Sequence, residues 1–391
     1  MMETNEKRQV YLDYAATTPV KPEVLEAMLP YFTENYGNPS SLYTLGQNAK
    51  SALGEARGKV AELIGALPAE VFFTGSGTEA DNWAVIETGI WKSGKGRHII
   101  TSRIEHHALL HSGKEYLEKE GFEVTYLPVD EEGFVRVSDL ANALRDDTTL
   151  VSIMFANNEI GTIQPIGELC AAAHERGALF HTDAVQALGN LPINVKELGV
   201  DFMSMSAHKI YGPKGVGALY IKRGVNLPGY MHGGAQESGR RAGTENVAGI
   251  VGFGRAAELA GQNLESHIEK SRELRDYLIK RLTNEIPDIR INGSMESRLP
   301  GNVNVTFKYI EGEAILLLLD MAGISVSTGS ACSSASLEPS HVLQAIGVPT
   351  GESHGSIRFT VGDYTTKDDL DYTIEKLKAA VEKLRSISSL L

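Results

Sequence analysis

The residues of this chain with the most chemical potential sit just past short apolar runs. Val71-Phe72-Phe73-Thr74 leads into Gly75-Ser76-Gly77-Thr78-Glu79, a glycine-rich turn that opens a helical pattern. The unpaired N–H groups of a first helical turn and the positive end of its dipole attract a phosphate. The turn matches neither common nucleotide signature, because Ala80 stands where a dinucleotide fingerprint needs its third glycine and the P-loop lysine is missing. Taken alone, it reads equally as an anion cup or as a plain glycine-rich turn. A second run, Ser204-Met205-Ser206-Ala207-His208-Lys209, sets a lysine among small and hydroxyl residues ahead of Gly212-Pro213-Lys214-Gly215-Val216-Gly217. Such a lysine can be held so that it loses its proton and attacks an aldehyde, although a lone lysine at a strand end ordinarily faces solvent. A third run ends in Asp183, followed by Ala184-Val185-Gln186. An acid at a strand end of an open α/β sheet lies on the ligand-binding edge, where it can keep a pyridine nitrogen protonated. Phosphate cup, acid and lysine, each just past a strand, together spell pyridoxal 5'-phosphate.

Two cysteines and a histidine cluster remain. Cys332 lies in Ser325-Val326-Ser327-Thr328-Gly329-Ser330-Ala331-Cys332-Ser333-Ser334-Ala335, a run of small residues with no bulky side chain to pin it, and such a loop can move. The competing reading is a buried structural thiol, the usual state of free cysteine. That reading is kept for Cys170, which lies among alanines in the helical pattern Ile166 to Arg176. His107 and His111 share a helical face beside His106, but no carboxylate or thiol at ligand spacing completes a metal set, and no metal is expected.

The elements that must hold these residues alternate strand and helix. Strands are expected at Val71 to Thr74, His98 to Ser102, Glu123 to Leu127, Leu150 to Phe155, Leu179 to Thr182, Asp201 to Ser204 and Gly217 to Ile221. Helices are expected at Glu79 to Trp91, Ala108 to Lys119 and Ile166 to Arg176. This order predicts an α/β domain with a mainly parallel seven-stranded sheet covered by helices. A long amphipathic stretch from Val247 to Leu282 then leads to strands near Asn302 to Phe307 and Ser356 to Thr360, a helix near Glu313 to Met321 and a charged helix from Asp368. The expected organisation is a large domain over 14–259 and a smaller α+β domain built from 1–13 and 260–391. With 391 residues, 42% hydrophobic and 22% charged, the chain can bury a globular core. Lys plus Arg is 37 and Asp plus Glu 50, a net charge of −13 that opposes nucleic acid as a ligand. No apolar run is long enough to cross a bilayer, and the polar start lacks a signal-peptide core, so a cytoplasmic chain outside the membrane is expected. Two cysteines cannot form a disulfide framework and fit a reducing compartment.

The chain resembles cysteine desulfurases of the NifS/IscS type, in the class V aminotransferase group, over nearly its whole length. The matching strings are Tyr11-Leu12-Asp13-Tyr14-Ala15-Ala16-Thr17-Thr18-Pro19, Gly37-Asn38-Pro39-Ser40, Glu105-His106, Asn157-Asn158-Glu159-Ile160-Gly161, Ser206-Ala207-His208-Lys209, Gly243-Thr244-Glu245-Asn246 and Ser330-Ala331-Cys332-Ser333-Ser334-Ala335-Ser336-Leu337-Glu338-Pro339-Ser340. The resemblance implies a fold type I pyridoxal 5'-phosphate enzyme in which Lys209 carries the cofactor and moves protons. Asp183 would pair with the pyridine nitrogen, His106 stack on the ring and Gln186 meet its phenolic oxygen. Gly77, Thr78, Ser206 and His208 would hold the phosphate, with Thr244 reaching across a homodimer. Asn158 and Arg358 would bind the carboxylate of L-cysteine, and Cys332 would take its sulfur as a persulfide for an acceptor protein, an iron–sulfur scaffold or a thiolation enzyme. An aminotransferase or a selenocysteine lyase on the same scaffold is the alternative. One departure is Asp363, where related sequences usually carry arginine; the reversal, close to Arg358, is expected to bear on the carboxylate pocket or on an interface. The chain also stops at Leu391, without the longer tail by which housekeeping members meet their scaffold, which leaves the acceptor open.

Overall fold

A computed structural model of the chain describes residues 8–328 and 339–388, so Cys332 lies outside the described residues. The chain opens with β1 (Val10–Tyr11) and then builds a sheet from β2 (Val71–Thr74), β3 (His98–Ser102), β4 (Glu123–Leu127), β5 (Thr148–Ser152), β6 (Leu179–Asp183), β7 (Phe202–Ser206) and β8 (Gly217–Ile221). Its order is β2-β8-β7-β6-β5-β3-β4. β3 through β7 pair in parallel, whereas β8 runs antiparallel to both β2 and β7. Successive strand residues point to opposite faces. Phe73, Ile100, Val151 and Met203 accordingly feed one apolar core, while Phe72, Ile99, Leu150 and Phe202 feed the core on the other face. A sheet covered on both sides buries nearly every residue of its inner strands, which therefore read as apolar runs rather than as alternation, while the edge strand β4 stays partly exposed.

The second unit is a four-stranded antiparallel sheet of β9 (Ile289–Asn292), β10 (Asn302–Phe307), β12 (Ser327–Thr328) and β13 (Ser356–Thr360), in the order β12-β13-β10-β9. β1 pairs in parallel with β11 (Ile324–Ser325) against this unit, and Leu12 enters its core. The 39-residue helix Val247–Glu285 serves both cores: Ile250, Phe253, Ala256 and Ala257 pack in the first, Leu274, Leu278, Ile279 and Leu282 in the second. Its glycines permit a close crossing with the helix Thr44–Leu63, since a Cβ at Gly254 would lie 2.5 Å from the Ala56 Cα.

Four strands of the large sheet match the expected bounds, and the others shift by a few residues. β5 starts at Thr148 and leaves the ladder after Ser152, although Ile153 and Phe155 still donate to the His181 and Asp183 carbonyls. Neither the reversed direction of β8 nor β9 was expected. The helix after β2 starts at Gly77, two residues earlier than its apolar pattern, and passes through a π turn at Trp83–Glu87.

Asp363 joins the two units rather than entering the carboxylate pocket. Its carboxylate lies 2.5 Å from Lys21 Nζ and 2.6 Å from His267 Nδ1, and its backbone N–H donates to the Tyr211 hydroxyl at 2.7 Å. His267 in turn contacts the Asn190 side chain at 3.0 Å. Burial raises the proton affinity of Asp363, but His267 and Lys21 outweigh it and hold the carboxyl well below the usual range. A carboxyl with a depressed pKa stabilises the fold fully above its unfolded pKa and loses that contribution as pH falls through its folded pKa. Asp363→Asn should therefore destabilise the protein by roughly 1–2 kcal/mol at neutral pH. The gap in chemical denaturation should begin to narrow below about pH 4 and shrink further as the pH falls toward the depressed folded pKa; equal midpoints at pH 7 would contradict this role.

Candidate active site

A cavity of about 360 Å³ opens at the edge of the large sheet where β6 and β7 end, lined by Gly77, Thr78, His106, Asp183, Ser206 and Lys209 among others. Lys209 sits in a short 3-10 turn, Ala207–Lys209, directly after β7. Its Nζ donates to the carbonyls of Ala15 at 2.5 Å and Ala16 at 2.8 Å, and the Ala15 carbonyl also accepts from Gln186 Nε2 at 2.9 Å. The segment after β1 thus runs along the cavity and steers both side chains. At the other end of the cavity, Ser76 caps its helix by accepting from the Glu79 N–H at 3.1 Å. The N–H groups of a first helical turn have no intrahelical partner, and Gly77 and Thr78 line the cavity there. A side chain at position 77 is excluded: its Cβ would stand 2.7 Å from Val185 Cγ2.

Burial dominates the electrostatics. Asp183 lies at the end of β6 with Oδ1 accepting from the Val185 N–H at 2.9 Å; burial raises its pKa to about 6, against the pull of that bond and of Lys209. His106 Nδ1 accepts from the Ala108 N–H at 3.1 Å, which leaves the ring proton of the neutral imidazole on Nε2. Burial and then Lys209 lower its pKa to about 4, and the same two causes bring His208 to about 4. Glu105, buried, accepts from Ser102 Oγ at 2.5 Å and from the Met154 N–H at 3.0 Å, and burial lifts its pKa to about 8.

Arg358, on β13 and 2% exposed, reaches the cavity from the smaller unit. It donates to the Asn158 carbonyl at 2.9 Å and to Asp13 Oδ1 at 2.8 Å, while its buried Nε has no partner. The guanidinium is aligned yet retains donors for a carboxylate. Both described ends of the segment that holds Cys332 are tied to this wall. Ser327 on β12 stands opposite Arg358 on β13. On the far side Ser340 donates to Glu159 Oε2 at 2.6 Å, and His341 Nε2 contacts the Glu105 carbonyl at 3.0 Å.

Of the residues singled out from the sequence, Gly77, Thr78, His106, Asn158, Asp183, Gln186, Ser206, His208, Lys209 and Arg358 line one cavity. Thr244 does not; it is exposed, away from the cavity of its own chain. Cys170 is buried in the first core with its Sγ 3.8 Å from His174 Nε2. His107 and His111 meet edge to face with ring centroids 5.1 Å apart, and among the described residues no group of three or more ligand side chains could hold a metal ion. The sequence reading missed Asp13, Asp81, Glu159 and His341, which also belong to this site. Asp13 and Glu159 stood inside quoted strings without a role, whereas Asp81 shows no signal apart from its place one turn into the helix that follows the cup.

The donor set fits pyridoxal 5'-phosphate: N–H and hydroxyl donors at one end, a buried acid, a neutral imidazole and a lysine around one space. A second space of about 60 Å³, lined by Lys21, His267 and Asp363 behind Lys209, is too small for it.

A family model described as aminotransferase class-V matches residues 10–373. The chain belongs to the class-V aminotransferase family. It is 58% identical over 382 residues, 98% of this chain and 97% of the other, to a protein named cysteine desulfurase IscS from Dictyoglomus turgidum. A solved NifS-like protein superposes with a TM-score of 0.91 at 40% identity, covering 96% of this chain and 100% of that one. A structure described as SspA in complex with cysteine gives a TM-score of 0.82 at 36% identity over 92% of this chain and 100% of that chain. The architecture is that of the NifS-like, fold type I members of the family.

The low pKa values of His106 and His208 make a direct prediction. Both rings should stay neutral, with imidazole NMR shifts that do not titrate between about pH 5.5 and 8. A midpoint near the unperturbed value of about 6.5 for either ring would contradict the burial argument.

Proposed function

We propose that the protein is a pyridoxal 5'-phosphate-dependent cysteine desulfurase that converts L-cysteine to L-alanine and passes the sulfur on as a Cys332 persulfide. The observation that carries this reading is the attachment of both described ends of the Cys332 segment to the wall that holds Arg358, opposite Lys209 and Asp183. Class-V aminotransferases are pyridoxal phosphate enzymes, and the cofactor, when bound, supplies an electron sink for the α-carbon. Lys209 would form the covalent link to its aldehyde and, once the substrate amine displaces it, carry the α-proton. Asp183 would hold the ring nitrogen charged, His106 would cover the ring, and Gln186 would donate to the phenolic oxygen. Gly77, Thr78, Ser206 and His208 would bind the phosphate, joined by Thr244 of the partner subunit. Arg358, aligned by Asp13 and the Asn158 carbonyl, would fork the substrate carboxylate with help from the Asn158 side chain.

The sulfur step then balances without an external oxidant. The Cys332 thiolate attacks the substrate sulfur, the carbon–sulfur bond breaks with its electron pair passing to carbon, and protonation of that carbon releases alanine. The substrate sulfur keeps its own proton as the outer sulfur of a persulfide on Cys332, the proton given up by the Cys332 thiol balances the one taken by carbon, and an acceptor thiol, on an iron–sulfur scaffold or a thiolation enzyme, would collect the sulfur. An aminotransferase would use Lys209 and Asp183 but has no task for the thiol, and the 58% identity to a named cysteine desulfurase favours cysteine over selenocysteine as substrate. The working unit would be a homodimer. Its support is the exposure of Leu29, Phe32, Tyr36, Leu42 and Tyr43, together with that of Thr244. A cytoplasmic location agrees with the absence of a membrane-crossing helix among the described residues.

Cys332→Ala should lower sulfide release from L-cysteine by more than about 100-fold while the cofactor absorbance is retained. Cys170→Ala should keep its turnover and lose about 1 kcal/mol of stability from the core. Sulfide release at the wild-type rate from the Cys332 variant, or a loss confined to position 170, would assign the chemistry to the wrong thiol.

A further inference from the structure

Asp81 has no part in the reading above, yet its surroundings are unusual for an acid. It lies in the helix Gly77–Asn82, 2% exposed, on the wall of the cavity. Its Oδ1 is buried with no hydrogen-bond partner and stands 3.7 Å from His181 Nε2. His181 cannot serve as a counter-ion. It is buried between Ser152 Oγ at 2.8 Å and Ser204 Oγ at 2.9 Å, and burial lowers its pKa to about 3, so the ring is neutral. His181 and Asp183 are two residues apart on β6 and so share a face of the strand. The other groups that act on Asp81 are the Asp183 and Glu105 carboxyls, which repel a charge there, and the Ser204 hydroxyl on β7, which favours one. On its own helix Glu79 is paired with Arg241 at 2.8 Å, and on the adjoining helix His107 and His111 face each other. The field of Lys209, which lines the same cavity, is felt by Asp183. Two neighbouring carboxyls in a dry site with one ammonium cannot both ionise without a large cost.

We propose that Asp81 is a positioning residue held as the neutral acid beside Asp183, so that Asp183 is the sole anion of the pair and carries the charge that faces the cofactor ring. The proposal deepens the proposed function and rests on its assignment of Asp183 to the ring nitrogen. Burial and the two carboxyls raise the proton affinity of Asp81 well above the ordinary value, consistent with the geometry. A carboxyl with a raised folded pKa stabilises most below its unfolded pKa, and that contribution is lost as pH rises toward the folded pKa. Asp81→Asn keeps the shape of the neutral acid and has no proton to lose.

The test uses full-length, cofactor-loaded protein. Infrared difference spectra of wild type against Asp81→Asn should show a protonated-carboxyl C=O band at neutral pH that the variant loses, with Glu105→Gln as the control for the other raised acid. The stability of Asp81→Asn relative to wild type should increase steadily from about pH 5 to pH 8. The pH midpoint of the visible cofactor band should be the same in both. Absence of the lost infrared band overturns the proposal, as does a stability difference that does not change with pH. So does a shift of the cofactor midpoint by about one unit or more, the effect expected if a charge had been removed. Asp183→Asn separates the two ideas. If that variant keeps the cofactor band and its midpoint, the assignment of Asp183 fails, and the Asp81 infrared band still reports whether Asp81 carries the proton.

Discussion

The site depends on one constraint of chain direction. β2 to β7 all run the same way, and a sheet of that kind delivers the ends of its strands to a single edge. Thr74 ends β2 ahead of the cup, Asp183 ends β6 and Ser206 ends β7 just before Lys209, while His106 follows β3 by a few residues. Only β8 is reversed, and it begins at that same edge with Gly217 opposite both Thr74 and Ser206. The absence of a side chain at Gly217 matters: a Cβ there would lie 2.5 Å from the Ser76 carbonyl carbon. The reversed strand can therefore slot between β2 and β7 without displacing the cup.

The sheet edge alone would leave an open shelf of charges. The smaller unit and the segment between Tyr11 and Thr18 close it. Asp13 meets Arg358, the Ala15 and Ala16 carbonyls meet Lys209, and the Thr18 hydroxyl accepts from the Tyr211 N–H at 2.8 Å. Excluding water raises the cost of every carboxyl in the cavity, and Asp183, Glu105 and Glu159 all hold protons more tightly than usual for that reason. The same exclusion keeps His106 and His208 neutral rather than cationic. The long helix Val247–Glu285 sets how the two units meet, because its two halves pack in different cores.

The alternation of strands and helices, and the residues just past the strands, were legible in the sequence. β2, β3, β4 and β8 had their expected ends, whereas β5, β6 and β7, buried at nearly every position, shifted by one to three residues because a run buried on both faces carries no mark of where it leaves the ladder. The direction of β8 was not legible, since a short apolar strand reads the same in either sense. Lys209, Asp183 and the cup at Gly77 were legible as residues just past strands. Asp13 and Asp81 were not. Asp13 acts through a partner 345 residues away, and Asp81 gains its character from burial and from the Asp183 and Glu105 carboxyls, which sequence does not bring near. For Asp363 the sequence left the carboxylate pocket and an interface both open, and its contacts with Lys21 and His267 place it where the two units meet.

The central claim is that Lys209 is the residue to which the cavity delivers an aldehyde. The most direct measurement is peptide mass spectrometry of protein loaded with pyridoxal 5'-phosphate and then treated with borohydride to make the link permanent. One added cofactor mass per chain is expected, on the peptide that contains Lys209. A mass on another lysine, or none on protein that has retained the cofactor, would contradict it.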